Sequence, residues 1–151
     1  MAQKDIGRLL AELNNLIHRE IIKTSQIQCD DKKDIVSQSG SCIIAYLYDH
    51  KGSDVYGRDL EQEFSVRRST MSKVLTVLEQ KDLIKRVDVD HDKRLKKIVL
   101  TEKAQLFADE IIEHRLVLEN KLTQGICDEE LTLFKATLEK LKQNLSKEDE
   151  E

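Results

Sequence analysis

Seven of the ten residues from Arg67 to Thr76, namely Arg67, Arg68, Ser69, Thr70, Ser72, Lys73 and Thr76, carry cationic or short hydroxyl side chains, and no carboxylate follows until Glu79. Such a set suits an anionic partner. Guanidinium and ammonium groups pair with phosphate, and slim hydroxyls reach base edges in a major groove about 12 Å wide. A carboxylate in the same run would be repelled. A second cluster, Asp90-His91-Asp92-Lys93-Arg94, ends in two cations. Other chemistry has no comparable support. The four histidines are scattered, and there is no Ser/His/Asp order, glycine-rich phosphate loop or HExxH stretch. The expectation is a protein that is not an enzyme and holds neither cofactor nor metal. Hydroxyls and cations also make up ordinary solvated helix faces, so the elements that carry them decide the matter.

Met71, Val74, Leu75 and Leu78 recur at i, i+3, i+4 and i+7, which predicts a helix over 67–81 with the donor set on its free side. Before it, Arg58 to Phe64 reads as a two-turn helix with Leu60 and Phe64 inward, and Ser65-Val66 as the turn. After it, Leu83–Val89 and Ile98–Leu100 read as strands joined by a loop at 90–94. Asp54-Val55-Tyr56 reads as a very short strand paired with them. This order is a helix-turn-helix followed by a wing. In such an arrangement the second helix enters the major groove, its N-terminus attracts a phosphate, and the wing offers an arginine to the minor groove.

Helices flank this module. From Lys4 to about Gln28 the apolar residues Ile6, Leu9, Leu10, Leu13, Leu16, Ile17 and Ile21 step by three and four. Cys29 to Asp34 reads as a loop, and a second helix starts among Ser37, Ser39 and Ser41 with Ile43, Ile44 and Leu47 on its apolar face. Thr101 is placed to cap a helix running to about Thr123, which Gly125 ends, and Asp128 to cap a last one. In that last helix Leu131, Phe134, Leu138, Leu141 and Leu145 repeat at 3-4-3-4, a coiled-coil-like seam. A lone helix cannot bury such a stripe. Leu9, Leu13, Ile17 and the Leu131–Leu145 seam are therefore candidate dimerisation residues, with an intramolecular bundle as the alternative. The expected fold class is mainly α with a small β wing. Residues 37–101 form a winged helix-turn-helix, 1–36 and 102–146 a helical dimerisation region, and 147–151 an acidic tail.

Charge agrees with this division. The 151 residues carry a formal net charge of −4. From Ser65 to Lys97, ten Lys/Arg stand against five Asp/Glu, a net of +5, and the remainder carries −9. One basic surface on an acidic body fits a polyanion-facing side. No run of about 18 apolar residues is present, which points to a soluble cytoplasmic protein with no membrane partner. Cys29, Cys42 and Cys127 are odd in number and far apart, so a disulfide framework is not expected and buried small residues are the plain reading.

The run RSTMSKVLTVLEQKDLIKR followed by DHDKRLKKIVLT, with two helices before the module and two after it, resembles the MarR family of bacterial transcription regulators over nearly the whole chain. The match includes a wing signature, Asp92 and Arg94 followed by Leu100 and Thr101, with Arg86 at the matching strand position. The resemblance implies a homodimer on a pseudo-palindromic double-stranded DNA operator, usually as a repressor. It makes Arg94, beside Lys93, the wing-tip arginine in the minor groove. Asp92 becomes the carboxylate that fixes the hairpin by pairing with a nearby arginine. It assigns phosphate and base contacts to Arg67, Arg68, Ser69, Thr70, Ser72, Lys73 and Thr76. Family members often respond to small lipophilic or phenolic effectors, for which His18, Tyr46 and Tyr48 are candidate lining residues. Two departures stand out: Asp82 where the family usually has glycine after the recognition helix, and Gly40 where many members have a larger polar residue. Asp tolerates the left-handed conformation, so the turn is expected to survive. A redox-sensing or metal-sensing regulator of the same fold is a further alternative, with Cys29, Cys42 and His114 as its loosely placed candidates. So is a winged-helix protein-interaction module that touches no DNA.

Overall fold

Among the described residues of a computed structural model, six helices and one hairpin succeed one another: α1 (Ile6–Ser25), α2 (Gln38–Asp49), α3 (Gly57–Glu63), α4 (Arg68–Gln80), β1 (Ile84–Val89), β2 (Asp92–Leu100), α5 (Glu102–Thr123) and α6 (Asp128–Ser146). The structure describes residues 5–25 and 38–146, without the side chains of residues 24, 25, 38 and 93. The expected loop at Cys29–Asp34, the Ser37 cap and the acidic tail at 147–151 lie outside the described residues. The chain divides into two compact units, Met1–Arg115 and Leu116–Glu151.

In the first unit one core joins α2, α3, α4, the hairpin and the start of α5. Ile43, Ile44, Leu47, Val55, Leu60, Met71, Leu75, Leu78, Leu83, Ile84, Ile98, Ala104 and Ala108 are all buried in it. These are the apolar positions of each periodic stretch, and burying a side chain of Leu or Ile size contributes about 1.5–3 kcal/mol each. Alanines at 104 and 108, one turn apart, are the fully buried residues of α5, and Ile111 packs half-buried against the same core.

The turns before and after α4 both end a helix in the same way. After α3, Ser65 takes φ 51°, its N–H donates to the Gln62 carbonyl, and the Val66 N–H donates to the Glu61 carbonyl. After α4, Asp82 takes φ 56°, its N–H donates to the Glu79 carbonyl, and the Leu83 N–H donates to the Leu78 carbonyl at 2.9 Å. Both are Schellman closures, which normally place glycine at the left-handed residue. Buried Leu78 and Leu83 supply the apolar contact that accompanies the second.

β1 and β2 pair antiparallel from Ile84 opposite Leu100 to Asp88 opposite Lys96, and Tyr56 adds an isolated bridge to Lys97. The Ile98 N–H donates to the Val55 carbonyl at 2.8 Å, so the short segment before α3 does pair with the wing. The tip is tighter than the sequence suggested. Asp90 and His91 alone make the turn, and Asp92 to Arg94 belong to β2. Val89 faces Asp92 while Asp88 faces Lys96, so residues 93–95 bulge out of the ladder. Bulges of this kind re-aim a side chain at a strand end.

Thr101 fastens the wing to the helices. Its hydroxyl accepts the Ala104 N–H at 3.1 Å as the cap of α5 and donates to the Asp82 carbonyl at 2.6 Å. In the second unit, Gly125 at φ +78° ends the approach to α6. α6 begins at Asp128 rather than being capped by it, and the Glu130 carboxylate accepts the Cys127 N–H at 3.0 Å. That backbone bond holds the Glu130 carboxyl below its ordinary range. No residue of α6 is buried.

Candidate nucleic-acid interface

α4 separates two chemistries by helical period alone. Met71, Leu75 and Leu78 point into the core, while Arg68, Ser69, Thr70, Ser72, Lys73 and Thr76 are exposed on the other side, with exposed Arg67 as the N-cap residue. No side chain caps this end and its first turn holds no acidic residue. A helix start of this kind presents partial positive charge outward. The structure therefore brings the seven residues of the sequence run onto one continuous surface. One of them behaves differently from expectation: the Thr76 hydroxyl donates to the Ser72 carbonyl at 2.8 Å, so its proton is used inside the helix. Val77 lies outside the predicted donor set. It is 47% exposed and shares a stripe with Thr70 and Lys73 at i, i+3 and i+7, a spacing legible in the sequence.

The wing places Arg94 in the bulge of β2, exposed. Asp92 does not reach an arginine side chain there; its Oδ1 accepts the Arg94 backbone N–H at 2.9 Å. Arg86 turns the other way, its Nε lying 3.3 Å from Glu79 Oε2 on α4. The residue thus links β1 of the wing to α4. Lys97 pairs with Asp54 at 3.1 Å, and Lys96 pairs across the ladder with Asp88. Exposed pairs of this type each contribute well under about 1 kcal/mol and act mainly by fixing geometry. The Lys93 side chain lies outside the described residues.

Two of the candidate effector residues, Tyr46 and Tyr48, make separate contacts. Tyr46 is half-buried, stacks on His50 with ring centroids 3.9 Å apart and meets Phe64 edge-on at 5.9 Å. Tyr48 donates its hydroxyl to Asp109 on α5 at 2.9 Å, and Lys51 sits over its ring at 4.0 Å. The neighbouring carboxylate of Asp109 raises the pKa of the Tyr48 phenol. His18 lies exposed on α1. Cys42 is exposed over the residue as a whole, yet its thiol is crowded enough for burial to raise its pKa, partly offset by Arg115. Cys29 lies outside the described residues. Among the described residues no group of three or more His, Cys, Asp and Glu is placed to hold a metal ion, and no helix is long and apolar enough to cross a membrane.

The candidate dimerisation stripes are open in the single chain. On α1, Leu9 and Leu13 are exposed and Ile17 half-buried. On α6, Phe134 and Leu145 are exposed and Leu131, Leu138 and Leu141 half-buried.

A core of helices with a two-stranded wing on a helix-turn-helix defines the winged-helix class. Comparison with known proteins narrows it. The family model described as "MarR family" matches residues 41–95, the stretch from α2 through the wing tip. The transcription regulator MarR from Oenococcus oeni PSU-1 is 31% identical, with 92% of this chain and 99% of that chain covered and a TM-score of 0.77. The chain therefore belongs to the MarR family, whose members are transcription regulators and not enzymes. The S. aureus MepR–DNA complex (23% identity, 94% and 99% coverage, TM-score 0.80) shares the fold. So does a MarR-family regulator from Listeria monocytogenes complexed with a 26mer DNA (18%, 97% and 92%, TM-score 0.78). No curated protein matches the chain.

Proposed function

We propose that the protein is a cytoplasmic homodimer that binds a pseudo-palindromic DNA operator, represses transcription there and leaves it when a small lipophilic or phenolic effector binds. The observation that carries the reading is the α4 face, seven cationic or hydroxyl residues with no carboxylate among them, backed by a buried apolar side. Two relatives of the same fold are described in complex with DNA, which supports it. Residues 37–101 bind DNA, with Arg67, Arg68, Ser69, Thr70, Ser72, Lys73 and Thr76 in the major groove and Lys93 and Arg94 at the minor groove. The exposed apolar stripes of α1 and α6 join two copies.

The mechanism is geometric. Two recognition helices fit successive major grooves only when spaced about 34 Å apart. An effector that binds one spacing better by a few kcal/mol shifts the population away from DNA. Tyr46, Tyr48 and His18 are its candidate contacts.

The test is fluorescence anisotropy with duplexes from around the protein's own gene at two salt concentrations. The expected result is tight, sequence-preferring binding that weakens steeply with salt, because each neutralised phosphate releases counterion. Weak binding that is equal on random DNA, and unchanged in Arg94→Ala, would support the protein-interaction alternative instead.

A further inference from the structure

We infer that the methyl groups of Thr76 and Val77 read thymine C5-methyl groups in the major groove and so set part of the operator sequence. The inference rests on the DNA-binding reading above and adds what α4 recognises. Hydroxyl donors alone are poor readers, since Ser and Thr bond to several base edges. The C5-methyl of thymine is the one apolar group that a base pair displays in the major groove.

Three observations converge on this pair. Val77 is 47% exposed, whereas Met71, Leu75 and Leu78 of the same helix are buried. A β-branched residue there serves neither the core nor helix propensity, for which Ala, Lys or Gln would do better. Second, Val77 continues the exposed stripe of Thr70 and Lys73, and it lies about 6 Å along the axis from Lys73 at 1.5 Å per residue. A helix laid with Lys73 on the duplex carries Val77 along the same groove. Third, the Thr76 hydroxyl donates to the Ser72 carbonyl at 2.8 Å, so its methyl is the group left to offer outward. Thr76 and Val77 thus place methyl groups on neighbouring stripes of a polar, cationic helix surface.

The experiment first selects a tight-binding site from a randomised duplex pool with the full-length protein. Each thymine of that site is then replaced singly by deoxyuridine, which removes the C5-methyl and keeps every hydrogen-bonding group. The wild type should lose about four-fold in affinity for each methyl buried, at one or two thymines per half-site and nowhere else. Val77→Ala and Thr76→Ser, the second of which keeps the back-bonded hydroxyl, should each lose the uracil penalty at one position. On the uracil duplex they should bind as the wild type does. Both positions are exposed, and an unchanged melting temperature checks that the variants fold. Indifference of the wild type to every uracil, or variants that keep the full penalty, overturns the inference while leaving the DNA-binding reading intact. A protein that enriches no site and binds no duplex overturns both.

Discussion

Arg94 stands in a bulge that its own neighbour holds open. The Asp92 carboxylate accepts the Arg94 N–H at 2.9 Å, and this bond fixes the backbone from which the Arg94 side chain leaves. Arg94→Ala removes the charge and Asp92→Ala removes the support. Each should weaken operator binding by about ten-fold, the equivalent of roughly 1.4 kcal/mol. Asp92→Asn keeps an acceptor oxygen in place and should stay within about three-fold of wild type. Anisotropy titrations at one salt concentration compare the three, and an Asn variant as weak as the Ala variant would remove the role given to that bond. Cys42 allows a second test at this scale. Burial raises its thiol pKa and the Arg115 charge opposes the rise, so at neutral pH little of it is thiolate. Alkylation of Cys42 should run slower than that of free cysteine, and Arg115→Gln should slow it further. Faster alkylation in that variant would contradict the sign, and a fast-reacting Cys42 in the wild type would revive the redox-sensing alternative.

At the level of elements, two non-glycine residues in the left-handed region mark where the chain accepts strain at the ends of α3 and α4. Ser65 and Asp82 both sit at positive φ where a Cβ is disfavoured. Asp82→Gly should stabilise the protein by about 0.5–1 kcal/mol, and Asp82→Val should destabilise it by about 1–2 kcal/mol. The Thr101 hydroxyl bonds to the Asp82 carbonyl, so neither change removes that link. Thermal or urea unfolding gives the order, and a Val variant as stable as the Gly variant would show the turn is not strained. Apolar periodicity made most of this scale legible: α4 with Met71, Leu75 and Leu78 inward, and the capping role of Thr101, follow from residue types and spacing. The wing tip did not. A run of charged residues looks like a loop by composition, yet Asp92 to Arg94 are strand, because a bulge lets polar side chains leave the ladder without ending it. Asp92's partner was equally hidden, since a carboxylate is satisfied as well by a backbone N–H as by a guanidinium, and sequence spacing cannot choose between them.

At the scale of the whole molecule, most of the exposed large apolar residues lie on the helices that flank the winged module, α1, α5 and α6. Leu9, Leu10, Leu13 and Leu16 on α1, and Leu133, Phe134 and Leu145 on α6, are all exposed in the single chain. Clusters of this extent mark surfaces that meet another chain. The half-buried positions Leu138 and Leu141 lie within the α6 seam and belong to the compact unit Leu116–Glu151, apart from the winged unit. Charge at both positions should therefore break self-association without unfolding the DNA-reading module. Leu138→Asp with Leu141→Asp should sediment as a monomer at concentrations where the wild type is a dimer, because carboxylates placed in an apolar interface face a desolvation cost of several kcal/mol. Operator affinity should fall by about a hundred-fold or more, since a monomer engages one half-site and loses the effective concentration that linkage to the second supplies. Binding to random duplex should change far less, as it depends on phosphate contacts within each copy. A double variant that remains dimeric would refute the seam. A monomeric variant that keeps full operator affinity would instead show that one winged module suffices, and the requirement for two matched grooves would fall with it.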